Sequence, residues 1–577
     1  MATAPATALA TAPATLFINA KIFQSGVEPG TNAGLERQPR FASCMLVRGT
    51  QIEHVGSPSD APIAAVLAQV SSQETADSTT AIQVHDLGGR TVLPGFVDGH
   101  MHLMLLGQAL NKLDLGGCKT LDDIRAALRA HAAAHPDAPR VLGRGWMHSM
   151  TPNGVTAVDL DGLDVEGKNR PVLVDSKDLH STWCNTAAVA ELGADKWADV
   201  PGGIIQRDAE GKPTGVFSEA ANITYVWPFL AQVASMEERV AAIESAVAAY
   251  YVAGYTGLID MAMDEGGWEA LVAWRERQER EGKGPKMRIA AYWLVKPRER
   301  VEDMVAQVDR AAELAGQFNA ATTPDCRVVG IKVICDGIVD ACTAGLSEPY
   351  SHDGRVEVPL WRAEQLEPVV RRADEAGLQI ALHAIGDATV TMVLDALTRH
   401  ASPDRRPRVE HLELTSDKDA ARLGDARITA SIQPVHADPA ILRAWPRLLG
   451  EHRCARAFAY RDFADRGAPL ALGSDAPTAP HAPLGNVYVG TTRRSYREPE
   501  SEEIVNPHFA LGLCEAVAAA TEGAAYSVFD DHRVGVLAAG RKADFVVADM
   551  EWDAKRLLEA RVAETWFDGA KVWPCQG

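Results

Sequence analysis

Two histidines one residue apart, His100 and His102, follow an apolar run in "LPGFVDGHMH". On a β-strand, side chains at i and i+2 share a face, so both imidazoles can reach one ion. Residues of metal-binding type recur downstream at the ends of other apolar runs. They are Lys332 in "RVVGIKVICDG", His383 in "LQIALHAIGD", His411 after Glu410 in "RVEHLEL", and Asp475 in "PLALGSDAP". Imidazole and carboxylate donors suit zinc, and also manganese, iron or nickel. A lysine inside an apolar strand is costly unless it is neutralised or modified. Carbamylation by CO2 resolves this, because it turns the amine into a carboxylate able to bridge two cations. Two ions about 3.5–4 Å apart would then share a hydroxide nucleophile. Asp475 would bind one ion, take the hydroxide's proton and pass it to the leaving group.

Further residues fall where a substrate would lie. His436 follows an apolar run in "SIQPVHA" and is placed to hold a developing oxyanion. Trp146 in "GRGWMH", His180 in "KDLHSTW" and Asp336 in "CDG" are expected to touch the substrate. His131, His135 and His148 have no such context and read as surface residues. Cys335 and Cys342 lie close to Lys332, but an activated water makes a thiol nucleophile unnecessary.

The elements that must position this set are strands alternating with helices. Apolar strand patterns occupy residues 96–102, 255–263, 287–295, 327–337, 378–387, 408–414, 427–434 and 469–477. Amphipathic stretches between them, such as "MEERVAAIESAVAAYYVAG", end in glycine as helices often do. Eight such strands predict an α/β fold, a (β/α)8 TIM-like barrel whose chemistry sits at the C-terminal strand ends. The first two strands are too far apart for one helix, which predicts an inserted subdomain at about 110–235. Short alternating strands at both chain ends predict a small β-sandwich from residues 15–90 and 530–577. The barrel then spans 91–529, and residues 1–14, rich in Ala, Thr and Pro, read as a disordered tail.

Composition bounds the function. The chain of 577 residues carries a formal net charge of -20, which argues against nucleic acid and anionic membrane as partners. No run has the roughly 18–20 apolar residues of a membrane span. Nine scattered cysteines, with no CxxC pair, suggest a reducing compartment, and the cytoplasm is the expected location.

In order and number, these motifs resemble the amidohydrolase superfamily. The likeness is to its amidohydrolase-3 or YtcJ-like branch, which includes N-substituted formamide deformylases. It runs from "LPGFVDGHMH" through "GIKVICDG", "LHAIGD", "VEHLE", "SIQPVH" and "LGSDAP" to "GVLAAGRKADFVVAD", and covers the insertion too. The resemblance implies His100, His102, Lys332, His383, His411 and Asp475 as ligands, Lys332 being carbamylated. It implies a divalent metal, zinc first, at one or two ions per chain, and a homodimer. One segment departs from the family pattern. After Lys332 such members often read "FADGSLGSRTA", where this chain has "VICDGIVDACTA". Positions 338–342 probe the substrate side, so a relative's substrate does not transfer.

The expected activity is hydrolysis of a C–N bond in a small molecule: an amide, formamide or cyclic amide. An esterase or lactonase on the same centre, and a catalytically silent scaffold, stay open as alternatives, as does deamination of a free base.

Overall fold

The computed structural model describes residues 12–24, 38–72, 82–163, 169–177, 181–200, 203–219, 221–284 and 287–574. Most of the expected N-terminal tail, residues 1–11, lies outside them, and Ala14 already opens the first strand.

Eight parallel strands form one sheet: Phe96–Met101, Tyr255–Met263, Arg288–Val295, Cys326–Ile334, Gln379–Ala384, Arg408–His411, Thr429–Ile432 and Leu470–Leu472. Each pairs in parallel with the next. Their near-continuous apolar sequences belong to a sheet buried on both faces. Helices follow the strands on the outside. In Ala363–Glu375 the buried residues Leu366, Val369, Val370 and Ala373 keep the three-to-four spacing of one helical face. The result is the expected TIM-like α/β fold.

No strand ladder joins the first and eighth strands among the described residues. Single contacts close that seam instead. The Asp475 N–H donates to the His100 carbonyl at 2.7 Å, and the His102 N–H to the Ala476 carbonyl at 3.0 Å. Asp98, fully buried on the first strand, accepts from the Ser474 N–H at 2.8 Å, the Ser474 hydroxyl at 2.6 Å and the Tyr250 hydroxyl at 3.1 Å. The backbones approach so closely that a Cβ on Gly99 would sit 2.4 Å from the Leu472 carbonyl oxygen. Only glycine fits there.

Register fixes which residues share a layer of the barrel interior. Lys332 pairs with Ala381 and Ala381 with Arg408; one layer higher, Ile334 pairs with His383, His383 with Glu410, and Glu410 with Ser431.

Both chain ends contribute to a six-stranded sheet. Thr91–Pro94 lies between Phe545–Asp549 and Lys21–Gln24, with Arg40–Ala42, Arg561–Phe567 and Ala570–Trp573 completing it. A four-stranded sheet runs Gln51–Gly56, Cys44–Arg48, Ala14–Ile18 and Gln83–Asp86. Residues of both sheets enter one buried cluster, where Phe17 meets Phe545 and Trp566 edge-on, each at 5.0 Å. Thr91–Pro94 is therefore a strand of this sheet and not the start of the barrel, whose first strand opens at Phe96. The apolar run from Thr91 onward hides that break, which falls at Gly95.

The chain divides into two compact units. One holds the residues to His102, Val247–Glu269 and Arg275 onward; the other holds Leu103–Ala246 and Ala270–Trp274. The second unit has its own six-stranded sheet, in the order Gly203–Arg207, Pro213–Glu219, Ser181–Cys184, Val172–Ser176, Val141–Trp146 and Leu113–Asp114. No helix among the described residues is long and apolar enough to cross a membrane.

Candidate metal centre

The strand ends bring His100, His102, Lys332, His383, His411 and Asp475 together. The His102 Nε2 lies 3.0 Å from Asp475 Oδ1, and the His100 Nε2 lies 3.4 Å from the same oxygen. Lys332 Nζ is 3.5 Å from His100 Nε2. The His383 and His411 rings are 4.3 Å apart, and those of His100 and His411 4.9 Å. Donor atoms of His100, His411 and Asp475 all lie within 4.8 Å of one another.

Local backbone conformation aims these groups. His411 and Leu412 have φ of 77° and 54°, and Asp475 has φ of 56°. Three non-glycine residues in the left-handed region store strain at the place where strands end and ligands project. His100 Nδ1 meets Glu410 Oε2 at 2.7 Å, which fixes the ring and leaves Nε2 facing the centre. Glu410 is held in turn by Arg408, whose Nε donates at 2.6 Å and which also reaches Ser431, Ser527 and the Gly99 carbonyl.

The electrostatics fit metal binding. Burial, reinforced by Lys332, pushes His100 down to about 4 and His383 down to about 3. Burial and the neighbouring His383 hold His411 well below the usual histidine range. All three rings are thus neutral donors at pH 7, as an ion requires. Burial also lowers the Lys332 amine, against the pull of Glu410 and Asp475. For Asp475 burial acts upward, but His100 and His102 outweigh it and hold the carboxyl well below the usual range. The buried nitrogens His102 Nδ1, His383 Nε2 and His411 Nδ1 have no hydrogen-bond partner among the described residues. Buried polar atoms rarely stay unsatisfied, so these orphans on three candidate ligands are open to a partner other than the described residues.

His436 stands beside this set, in a short turn over Pro434–Ala437. Its Nδ1 is 3.3 Å from Glu413 Oε1 and its Nε2 is 3.6 Å from Asp475 Oδ2. Burial acts downward on its pKa, but the two carboxylates outweigh it and raise it. Glu413 and Asp98 do not stand out in the sequence, and Glu410 does so only as the neighbour of His411, without its orienting role. Glu410 and Glu413 flank a ligand in "VEHLE", which is the signal that would have found them.

Three expected substrate contacts fare differently. Asp336 is fully buried and accepts from the N–H groups of Gly386 at 2.9 Å, Ile385 at 3.0 Å and Gly345 at 3.1 Å. Its carboxylate ties the loop after the fourth strand to the end of the fifth and lies 3.5 Å from His383 Nε2, so the expected substrate contact finds no support. Trp146 is 1 % exposed within the second unit's own core, its ring tilted at 46° against Trp183 at 5.3 Å and its indole donating to the Thr151 hydroxyl at 3.0 Å. Its surface is spent on packing, so the expected contact finds no support. His180 lies outside the described residues.

A barrel with histidines, a lysine and an aspartate converging at its C-terminal strand ends defines a metal-dependent hydrolase. Comparison with known proteins agrees. An amidohydrolase-3 model, described as the Amidohydrolase family, matches residues 83–573, and the chain belongs to that family. YtcJ of Bacillus subtilis (strain 168), named as an amidohydrolase, is 30 % identical over 471 residues, 80 % of this chain and 84 % of its own. N-substituted formamide deformylase of Arthrobacter pascens is 24 % identical, covering 92 % of this chain and 94 % of its own. Among solved structures, a metal-dependent hydrolase from Pyrococcus furiosus superposes with a TM-score of 0.73 at 23 % identity, over 94 % of this chain and all of its own.

Proposed function

We propose that this hydrolase cleaves a C–N bond of a small molecule: an amide, a formamide or a cyclic amide. The observation that carries the reading is the converging donor set with its orphaned buried imidazole nitrogens. The deformylase relative acts, by its name, on N-substituted formamides, which fits the same bond class.

His100, His102, His383, His411 and Asp475 would hold one or two divalent ions, zinc first, with Lys332 as the carbamylated bridge. Ions held there would supply an activated water as nucleophile at neutral pH and Lewis-acid polarisation of the scissile carbonyl. The chain's own groups do the rest. Asp475 accepts the nucleophile's proton on a carboxylate oxygen and returns it to the leaving nitrogen. His436, steadied at Nδ1 by Glu413, offers Nε2–H to the oxygen that gains charge. Glu410 keeps His100 in the tautomer that donates through Nε2. The two chain-end sheets form a β-sandwich domain, and the eight free cysteines of the described residues suit the reducing cytoplasm.

Metal content and turnover test this together. The full chain is purified without chelator, supplied with zinc and bicarbonate, and given matched amide and ester substrates. Two ions per chain with amide turnover support the reading in full. One ion per chain removes the bridging role of Lys332. Ester turnover alone moves the reaction to an esterase, and no ion after reconstitution overturns the metal mechanism.

A further inference from the structure

The fourth barrel strand carries an apolar side chain into the mouth beside the candidate ligands. Lys332 and Ile334 are two residues apart on that strand and share its inward face. Ile334 pairs in register with the ligand His383, which pairs with Glu410, so all three stand in one layer. In that layer His383 is partly and Glu410 fully buried, yet Ile334 remains 38 % exposed.

The exposure continues around it. Five of the thirteen large apolar side chains exposed in the described residues fall in one stretch: Ile334, Ile338, Val356, Val358 and Leu360. Scattered exposed apolar residues are ordinary, whereas a concentration marks a binding surface. The backbone gathers part of this stretch. The Leu360 N–H donates to the Cys335 carbonyl at 2.7 Å, and the Trp361 indole donates to the Ile334 carbonyl at 3.0 Å. Ile338 is carried by a closed turn. Gly337 N–H donates to the Thr343 carbonyl at 3.0 Å, and the Ile338 N–H to the Thr343 hydroxyl at 3.0 Å. A Cβ on Gly337 would meet the Thr343 hydroxyl at 2.1 Å, so the turn is tight as well as closed. Two acidic groups next to Ile334 and Ile338 have partners. Asp336 is turned inward onto backbone N–H groups, and Asp340 accepts from the Trp445 indole at 3.3 Å. Ile334, in one layer with His383, and Ile338 present hydrocarbon, while the carboxylate of Asp340 beside them stays exposed.

We infer that Ile334 and Ile338 form a specificity wall, and that the substrate carries an apolar substituent within a few bonds of its scissile carbonyl. The inference rests on the hydrolytic reading above and narrows its substrate class. Of the two residues, Ile338 lies in the segment 338–342 where this chain departs from its family's pattern.

Binding of metal-chelating probes tests the wall without turnover. Two series are titrated calorimetrically into the zinc-loaded full chain: linear alkyl hydroxamates and N-alkyl-N-hydroxyformamides, each from one to six carbons. The first samples the acyl side and the second the nitrogen side. Affinity is expected to rise by about threefold per added methylene in at least one series, as for partial burial of each CH2. In Ile334→Ser and Ile338→Ser the rise should flatten, and Ile334→Leu should restore it. Unchanged unfolding midpoints will show that the variants fold. No rise with chain length, or an equal rise in both serine variants, overturns the wall; so does a failure of every probe to bind the metal-loaded chain. A length-dependent affinity with no turnover of any amide or ester keeps the wall and overturns the hydrolytic reading. Turnover indifferent to chain length does the reverse.

Discussion

At the scale of single residues, each candidate group has a distinct signature. Asp475→Asn removes the carboxylate that moves the proton, and turnover of the best amide should fall by about 10²–10⁴-fold. An undiminished steady-state rate would exclude the shuttle role. Glu410→Gln leaves His100 in place but loses the charge that orients it. Metal affinity should drop by about 10–100-fold, read by competition against a chelator. Asp336 supplies a test in pH. Burial pushes its carboxyl up to about 7, against the pull of the three N–H donors. Because the folded value lies above the unfolded one, folding favours the protonated form. The stability this gives is complete below pH 4 and is lost as pH rises toward and through 7. In metal-free protein, Asp336→Asn should flatten the decline of melting temperature between pH 5 and pH 8. An unaltered slope would show that Asp336 does not cause the decline.

At the scale of elements, the seam between the first and eighth strands is the sensitive place. Asp98 replaces a ladder there with three hydrogen bonds from Ser474 and Tyr250. Asp98→Ala should cost about 3 kcal/mol or more, and Tyr250→Phe about 1 kcal/mol, by chemical denaturation. Equal small losses would mean that the seam is held elsewhere. The same seam shows where sequence reading stops. The eight strands were legible because each is an apolar run separated from the next by helical pattern, and five of them end in residues of metal-binding type, where barrels concentrate chemistry. The ligands were legible for the same reason. The roles of Asp98, Glu410 and Glu413 were not, because they depend on partners distant in sequence. Asp336 misled because an Asp-Gly pair reads as a solvent-facing turn, and only the fold brings the Gly345, Ile385 and Gly386 amides onto it. Trp146 misled similarly, since nothing in "GRGWMH" says that Trp183 will pack against it.

At the scale of the whole molecule, an ion bound to the folded chain and not to the unfolded one adds to its stability. At about 1,000 times the dissociation constant the gain is about 4 kcal/mol. Zinc should therefore raise the unfolding temperature by several degrees and chelator should reverse it, by scanning calorimetry. No shift at saturating zinc would mean that the donors are not assembled in solution. The seam has one more consequence, for the life of the chain during synthesis. His100 stands on the first strand and Asp475 just past the last, 375 residues later in the chain, and they meet only when the circle closes. At roughly 5–20 residues per second, about 20–75 seconds pass between their emergence from the ribosome. A chain that stalls anywhere in that interval is built without a finished pocket for the ion. On the proposed function, metal capture would wait on completion: only a chain synthesised past its last barrel strand has the donor set assembled.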